Sequence, residues 1–495
     1  MEYYNVPSQI SLSQIETKDY SWSPSMYRQT IIANKNVVLL RDLLDKENPF
    51  DKGNEPGSMW YLHNSSNYLI RTKALQEYSC LLYPKGNSIV PINPRVFVDF
   101  KLAAEDILLS KDSNVGEVAI VDGDNWSNYM FSGGIVRLHP SFDRYYIYSF
   151  LKHPLFKVQL ISMTSRGSTI THAKSLWLDC LIPFPNQPDS DKVVSYVSAL
   201  MRAIVAKEIA IKKRHEAILL EINKELLTKQ TGNSFSYAFP TNRDIGLTSR
   251  LDTGLYNEDF KKYKHLVDSY EKGSTCLSKM GIESRRGPNL AVSVIGKSLY
   301  SDEPKQNWYQ LIRPTNISEY GTLTNKEWLG NKKELLTVNP KDLILGCEGF
   351  EKGRSIVIVE GIEKCTTNFH GTVLFSQNAE LWEIIFVRCF LAYLREHGII
   401  DWVGVGGSGG HMSPEYFDYL PFPNFPDAKK KEIAKLYYNE SPPPSDKLTN
   451  DNFVEWHNQW NSTLGIYQLD RELEKLHTIL LKVQKAIIEG TTVEV

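Results

Sequence analysis

Apolar residues near the C-terminus fall at alternating steps of three and four: Ile466, Leu469, Leu473, Leu476, Leu480, Val483 and Ile487. A mean spacing of ~3.5 keeps one narrow stripe turned toward a partner helix, which is the pattern of a coiled-coil seam. Gly465 stands just before the run and Gly490 where a helix C-cap is expected, with no Gly or Pro between them. An earlier stretch supplies a partner. From Asp189 to Thr231 there is again no Gly or Pro, and Val197, Ile204, Ile211 and Ile218 recur at heptad spacing. At ~1.5 Å per residue, a helix over that stretch approaches ~60 Å.

Ahead of each long helix the pattern shortens. After the apolar run Val37 to Leu40, the stretches Val96 to Phe100, Val118 to Val121 and Leu181-Ile182 are brief apolar or alternating runs between Gly, Asn, Asp and Pro turns, and they predict strands. Tyr145 to Leu151 predicts a short helix.

The chain also repeats itself. Asp106-Ile-Leu-Leu followed by Gly116 to Val121 returns as Asp342-Leu-Ile-Leu followed by Gly353 to Val359. Phe131-Ser-Gly133 returns as Phe369-His-Gly371, and Pro183-Phe-Pro-Asn186 returns unchanged as Pro421-Phe-Pro-Asn424. Arg250-Leu-Asp252 and Tyr256 echo Lys18-Asp-Tyr20 and Tyr27 more faintly. Collinear anchors at nearly constant spacing predict a duplicated unit. The expected fold is α+β, with two β-rich domains related by a pseudo-twofold repeat and joined by an antiparallel pair of long coiled-coil helices. The expected boundaries are 1–186 and 232–426 for the β-rich domains, 187–231 for the first long helix, and 427–495 for the second. In the second, Ser441-Pro-Pro-Pro444 and the stretch to 462 form an insertion that must loop out, because Pro cannot sit inside the helix.

Composition narrows the function. The 56 basic and 58 acidic residues nearly cancel, so a polyanion must be met by a local patch. The six cysteines are scattered, and the histidines show no paired metal spacing, so neither a disulfide framework, a metal site nor a cofactor is expected. The N-terminus has no signal-peptide character and no stretch is long enough for a membrane span, which predicts a soluble cytoplasmic protein. Methyltransferase and nuclease signatures fail: Asn93-Pro94-Arg95 and Asn339-Pro340-Lys341 lack a second proline and an aromatic, and Glu360 to Lys364 lacks a placed Asp. Gly404 to Gly410 lacks the Lys-Ser/Thr of a phosphate-binding loop.

Candidate anion and base contacts remain. Arg71, Lys73, Lys111 and Arg166 in the first half, and Arg285, Arg286, Lys297, Arg313, Lys352 and Arg354 in the second, sit near turns with Asn, Ser, Tyr and Trp close by. Arg can read base edges bidentately and Lys suits phosphates. The alternative for each is a solvated surface charge. By repeat position, the Gly404–Gly410 loop corresponds to Arg166-Gly167-Ser168, so Ser168, Ser408 and His411 join the candidate set.

Two β-rich domains, each carrying the Asp-Ile-Leu or Asp-Leu-Ile strand, a Phe-x-Gly segment and Pro-Phe-Pro-Asn, with helices starting near Asp189 and Asp427, resemble the specificity subunit of type I restriction-modification systems. The likeness spans nearly the whole chain, and the 441–462 insertion departs from it. The resemblance implies two target-recognition domains, spacer helices, no catalytic activity, and a role in phage defence. It also implies double-stranded DNA, two methyltransferase subunits and restriction/translocase subunits as partners. The rival readings are a non-catalytic coiled-coil protein scaffold and a stand-alone DNA-modification enzyme.

Overall fold

The computed structural model describes residues 3–18, 20–123, 125–164, 172–232, 234–406 and 410–494. The chain divides into two compact units. The first comprises Met1–Ile209, Pro443–Ser462 and Arg471–Val495, and the second comprises Ala210–Pro442 and Thr463–Asp470.

In the first unit, the apolar runs form strands β1 (Val37–Leu39), β2 (Phe50–Lys52), β3 (Asn67–Ile70), β4 (Ile89–Ile92), β5 (Ile107–Ser110), β6 (Val118–Ile120), β7 (Tyr129–Phe131), β8 (Ile135–Leu138) and β9 (Leu181–Pro183). An antiparallel sheet has the order β2-β8-β5-β6. A mixed sheet has the order β4-β3-β7, with β3 and β7 parallel, and β9 pairs with β1. Helices α1 (Arg144–Lys152) and α2 (Pro154–Met163) follow β8. Alternation fails as a guide at Val96 to Phe100, which forms no strand. Pro94 lacks an N–H, and Asn93 accepts a bond from the Arg95 N–H at 3.0 Å, so the chain closes a 3-10 turn at Pro94–Val96. The apolar side chains of Val96, Phe97 and Phe100 still pack against Leu69, Ile92 and Met130.

Helix α3 (Ser190–Thr228) begins in the first unit and ends in the second. The second unit continues with β10 (Ser274–Thr275), β11 (Glu283–Arg286), β12 (Leu299–Ser301), β13 (Tyr309–Leu311), β14 (Trp328–Gly330), β15 (Leu343–Gly346), β16 (Ser355–Val357), β17 (Cys365–Thr366), β18 (Gly371–Phe375) and β19 (Phe422–Pro423). Its antiparallel sheet runs β11-β18-β15-β16, its mixed sheet β12-β14-β13-β17 with β13 and β17 parallel, and β19 pairs with β10. The antiparallel sheet, the three strands β4-β3-β7 and the β9-β1 pair of the first unit thus each have a counterpart with the same neighbours and directions, while the short pairing of Tyr4–Asn5 with Gln29–Thr30 has none among the described residues. Even β12 is foreshadowed, because Tyr61 makes an isolated antiparallel bridge to Ile92 of β4 at the matching edge.

Register identifies matching residues and corrects one anchor of the repeat. The Ile135 carbonyl accepts from Gly53 N–H at 3.1 Å and the Gly371 carbonyl from Gly287 N–H at 2.9 Å. The Lys111 N–H donates to Gly134, and Cys347 to His370. Ile135 therefore corresponds to Gly371, which puts Thr367, not Phe369, opposite Phe131. Phe131 is buried in β7, whereas Phe369 lies beyond β17 and is 43% exposed. The shared Phe-x-Gly spelling arose at different places.

Helices α4 (Leu381–Glu396) and α5 (Ile399–Val403) follow β18, and α6 (Asp427–Tyr437), α7 (Phe453–Asn461) and α8 (Ile466–Glu489) complete the chain. Within the first unit, Val193, Val197, Leu200 and Ile204 of α3 pack in one core with Leu476, Leu480, Val483 and Ile487 of α8. The two helices run antiparallel there. Gln187, just ahead of α3, exchanges two bonds with the backbone of Val493, past the end of α8, at 2.8 and 3.1 Å, while Lys207 near the other end of this segment faces Glu472. In the second unit, Arg214 of α3 donates to the Leu464 carbonyl at 3.1 Å, and Ile211, Ile218, Ile466 and Leu469 are buried, while Leu473 in the first unit is half-buried. Gly490 takes φ +74°, and Asn34 donates to the buried Ile487 carbonyl at 2.7 Å, so α8 is capped at its end. The insertion forms α7 and packs in the first unit, where Phe453 joins the core.

Candidate nucleic-acid interface

Two side-chain pairs recur at corresponding points of the two units. Arg71 leaves β3 and leads into the 3-10 turn Thr72–Ala74, and its guanidinium lies over the Tyr61 ring at 5.4 Å. Arg313 leaves β13 and leads into the turn Pro314–Asn316, and it lies over the Tyr300 ring at 5.5 Å. Both aromatics sit at the same edge of the mixed sheet, so each unit presents a half-exposed cation on a ring.

The second pair joins the ends of β5 and β15 to His172 and His411. Asp112, just past β5, makes a backbone bridge to His172 and a hydrogen bond of 2.7 Å with its Nδ1. Glu348, just past β15, bridges to His411 in the same way, with Nδ1 at 3.1 Å from Oε1. The second cluster is richer: Glu348 also pairs with His370, and Arg286 meets His411 Nε2 while lying over the Phe369 ring at 4.7 Å. In the first, Lys111 Nζ sits 2.5 Å from Asp112.

The other candidates are distributed unevenly. Arg285 donates to the Thr337 carbonyl at 2.9 Å, pairs with Asp342 at 3.2 Å, and stacks on Phe375. Arg313 is held in a two-point pair with Glu327 at 2.8 and 3.1 Å, and this hydrogen bonding keeps its guanidinium above its ordinary pKa. Lys352 is 4% exposed and pairs with Asp401 at 3.1 Å; its ammonium lies against Gly404 and Gly410, where a Cβ would come within 2.7 and 3.1 Å. Arg354 donates to the Ile317 carbonyl at 3.1 Å. These four spend donors on the protein itself. Lys73 and Lys297 are exposed. Arg166, Ser168 and Ser408 lie outside the described residues.

The units also solve one charge problem differently. Asp106 in the first is met by Arg137 of β8 at 3.1 Å, while its counterpart Asp342 is met by Arg285 of the neighbouring edge strand β11. Val373 takes the place of Arg137. Burial pushes the Asp342 carboxyl up against the pull of Arg285. Sequence reading missed Tyr61, Asp112, Tyr300, Glu348 and His370, because each is brought to its partner by strand pairing and not by sequence neighbourhood. Aligning the halves by strand register, and not by shared spelling, is the signal that finds them. Among the described residues, no group of three or more His, Cys, Asp or Glu is arranged to hold a metal, and no helix is long and apolar enough to cross a membrane.

No family model and no curated protein matches the chain. Solved structures that resemble it include the type I restriction-modification S subunit from M. genitalium, with a TM-score of 0.39 at 13% identity over 93% of this chain and 96% of that one. The HsdS subunit from Thermoanaerobacter tengcongensis gives a TM-score of 0.27 at 11% identity, over 94% of this chain and 99% of that one. A chain from a structural study of type I R-M complex assembly and conformational transition gives 0.27 at 10% identity, over 94% and 100%. Scores this low carry no argument about function; the internal duplication does.

Proposed function

We propose that the chain is the DNA sequence-specificity subunit of a type I restriction-modification complex. Each unit reads one half of a bipartite site, and the chain docks the methyltransferase and restriction subunits in the cytoplasm without catalysing a step itself. The observation that carries the reading is the duplication: two units of one topology, both built onto α3, keep an Arg-on-Tyr pair and a carboxylate-histidine tether at the same places while their surface chemistry diverges. A protein that reads two unlike half-sites needs one scaffold and two different surfaces. Helix α3 runs unbroken for 39 residues, about 58 Å at ~1.5 Å per residue. The near-zero net charge suits a subunit whose partners share the neutralisation of phosphates.

Selection from a randomised duplex pool, with the full chain assembled on its methyltransferase subunits, tests the proposal. The expected product is two short constant blocks at a fixed separation. One contiguous block, or no enrichment, overturns it; retention of protein partners without any DNA enrichment would favour the scaffold reading.

A further inference from the structure

The first unit contains an open cleft of about 740 Å³ whose walls are three loops: 73–78 after β3, 83–88 before β4, and 113–117 between β5 and β6, with the end of α2 closing one side. Its shape matters. The major groove of a duplex is read by convex elements that enter it, so a concave cleft of this size cannot read bases still stacked in a helix. It matches the volume range of small-ligand sites.

The walls are built, not incidental. Lys152 donates to the carbonyls of Gln76, Glu77 and Ser79 at 3.0, 3.1 and 2.8 Å, and Glu208 accepts from the Cys80 N–H at 2.9 Å and from the Ser79 hydroxyl at 2.9 Å. In the second loop, the Ser88 hydroxyl bonds the Tyr83 and Lys85 carbonyls and accepts from the Lys85 N–H. The third loop turns through Ser113 and Gly116, both at positive φ. The acidic groups at the cleft are already matched: Lys157 lies 2.6 Å from Glu117 and 3.4 Å from Glu77.

The lining chemistry then decides the ligand. Tyr78, 53% exposed, and Tyr83 offer aromatic faces, which stack on any base. The amides of Asn87 and Asn114 can donate to and accept from a base edge. Lys73 and Lys85 border the same space, and an ammonium is a point charge suited to phosphate. We infer that this cleft binds one nucleoside monophosphate unit, either a nucleotide displaced from the stack of bound DNA or a free nucleotide acting as an effector. The DNA source rests on the function proposed above; the cleft chemistry does not.

The test uses the full chain and three probes: the four deoxynucleoside 5′-monophosphates, a duplex with one unpaired bulged nucleotide, and the fully paired duplex. The expected result is saturable binding of a monophosphate, weakened about tenfold by Tyr78→Ala and retained by Tyr78→Phe. Competition by the bulged duplex and not by the paired one assigns the DNA source; competition by free nucleotide alone assigns an effector. Duplex retention with no monophosphate binding, or equal affinity in Tyr78→Ala, overturns the cleft and leaves the specificity function standing. Monophosphate binding without duplex retention, measured again with the chain assembled on its methyltransferase subunits, keeps the cleft and discards that function.

Discussion

The Lys207 ammonium lies 2.7 Å from the Asn461 side-chain carbonyl, with the Lys207 side chain excluded from solvent. The pair joins α3 to the inserted helix α7 inside the first unit, where Lys207 also lies over the Trp460 ring at 5.5 Å. A buried ammonium with a neutral partner is costly, and burial pushes Lys207 down from 10.5 to about 8.

This cost has a pH window. The unfolded chain holds the Lys207 proton up to about 10.5, so between pH 8 and 10.5 it binds more protons than the folded chain, and stability rises with pH across that range. Below pH 8 the full penalty, on the order of 3 kcal/mol, is present. Lys207→Met removes it but leaves Asn461 without its donor, which costs about 1–3 kcal/mol. The substitution is expected to be neutral or stabilising at pH 7 and to lose ground to the natural chain by pH 10. Urea midpoints at both pH values decide; a difference independent of pH would remove the buried charge from the account.

Acid acts on other residues of the same unit. Burial holds His153 down to about 4, and burial together with Lys207 does the same to His457. The folded unit therefore keeps both neutral while the unfolded chain takes protons below about 6.5, so stability falls as pH drops from 6.5 to 4. His457→Gln should flatten that decline, read by the fluorescence of Trp456 and Trp460 during denaturation at pH 7 and 5. An unchanged acid decline would mean that His457 reaches water freely.

How much of this was readable beforehand differs by level. The heptads gave both long helices because seven-residue periodicity is local, and the Pro-rich segment gave the break because Pro forbids the helix. Duplication was legible from collinear anchors, yet Phe131 and Phe369 were mismatched, since spelling cannot register a strand whose partner lies elsewhere in the chain. The candidate cations were legible only as residue types. Whether Arg313 faces solvent or Glu327 depends on β14 folding back beside β13, a hairpin register that residue types alone do not fix.

Two glycines at corresponding places offer a test of the duplicated geometry. A Cβ at Gly53 would lie 2.1 Å from the Ser132 carbonyl oxygen, and one at Gly287 would lie 2.2 Å from that of Asn368. Backbone cannot retreat as a side-chain tip can, so Gly53→Ala and Gly287→Ala should each destabilise their unit by about 3 kcal/mol. Gly246, in the helix Asn242–Thr248 with open space around it, should instead gain roughly 0.5–1 kcal/mol as Ala. Thermal melts of the three variants provide the comparison, and a tolerated alanine at either close approach would contradict the register that equates the units.

DNA affinity should respond oppositely to two substitutions. Lys73 is exposed on a loop, so Lys73→Ala is expected to weaken binding evenly across sequences and to lower the salt slope by about 1. Arg313 is different, because Glu327 holds two of its donors and cancels its charge. Glu327→Gln leaves the guanidinium uncancelled at a half-exposed position, and should raise affinity at low salt and steepen the slope by a similar amount. Both are read from anisotropy titrations of a fluorescent duplex between 50 and 200 mM salt, on the order of the range where phosphate contacts dominate. A slope untouched by either change would place the duplex away from Lys73 and Arg313.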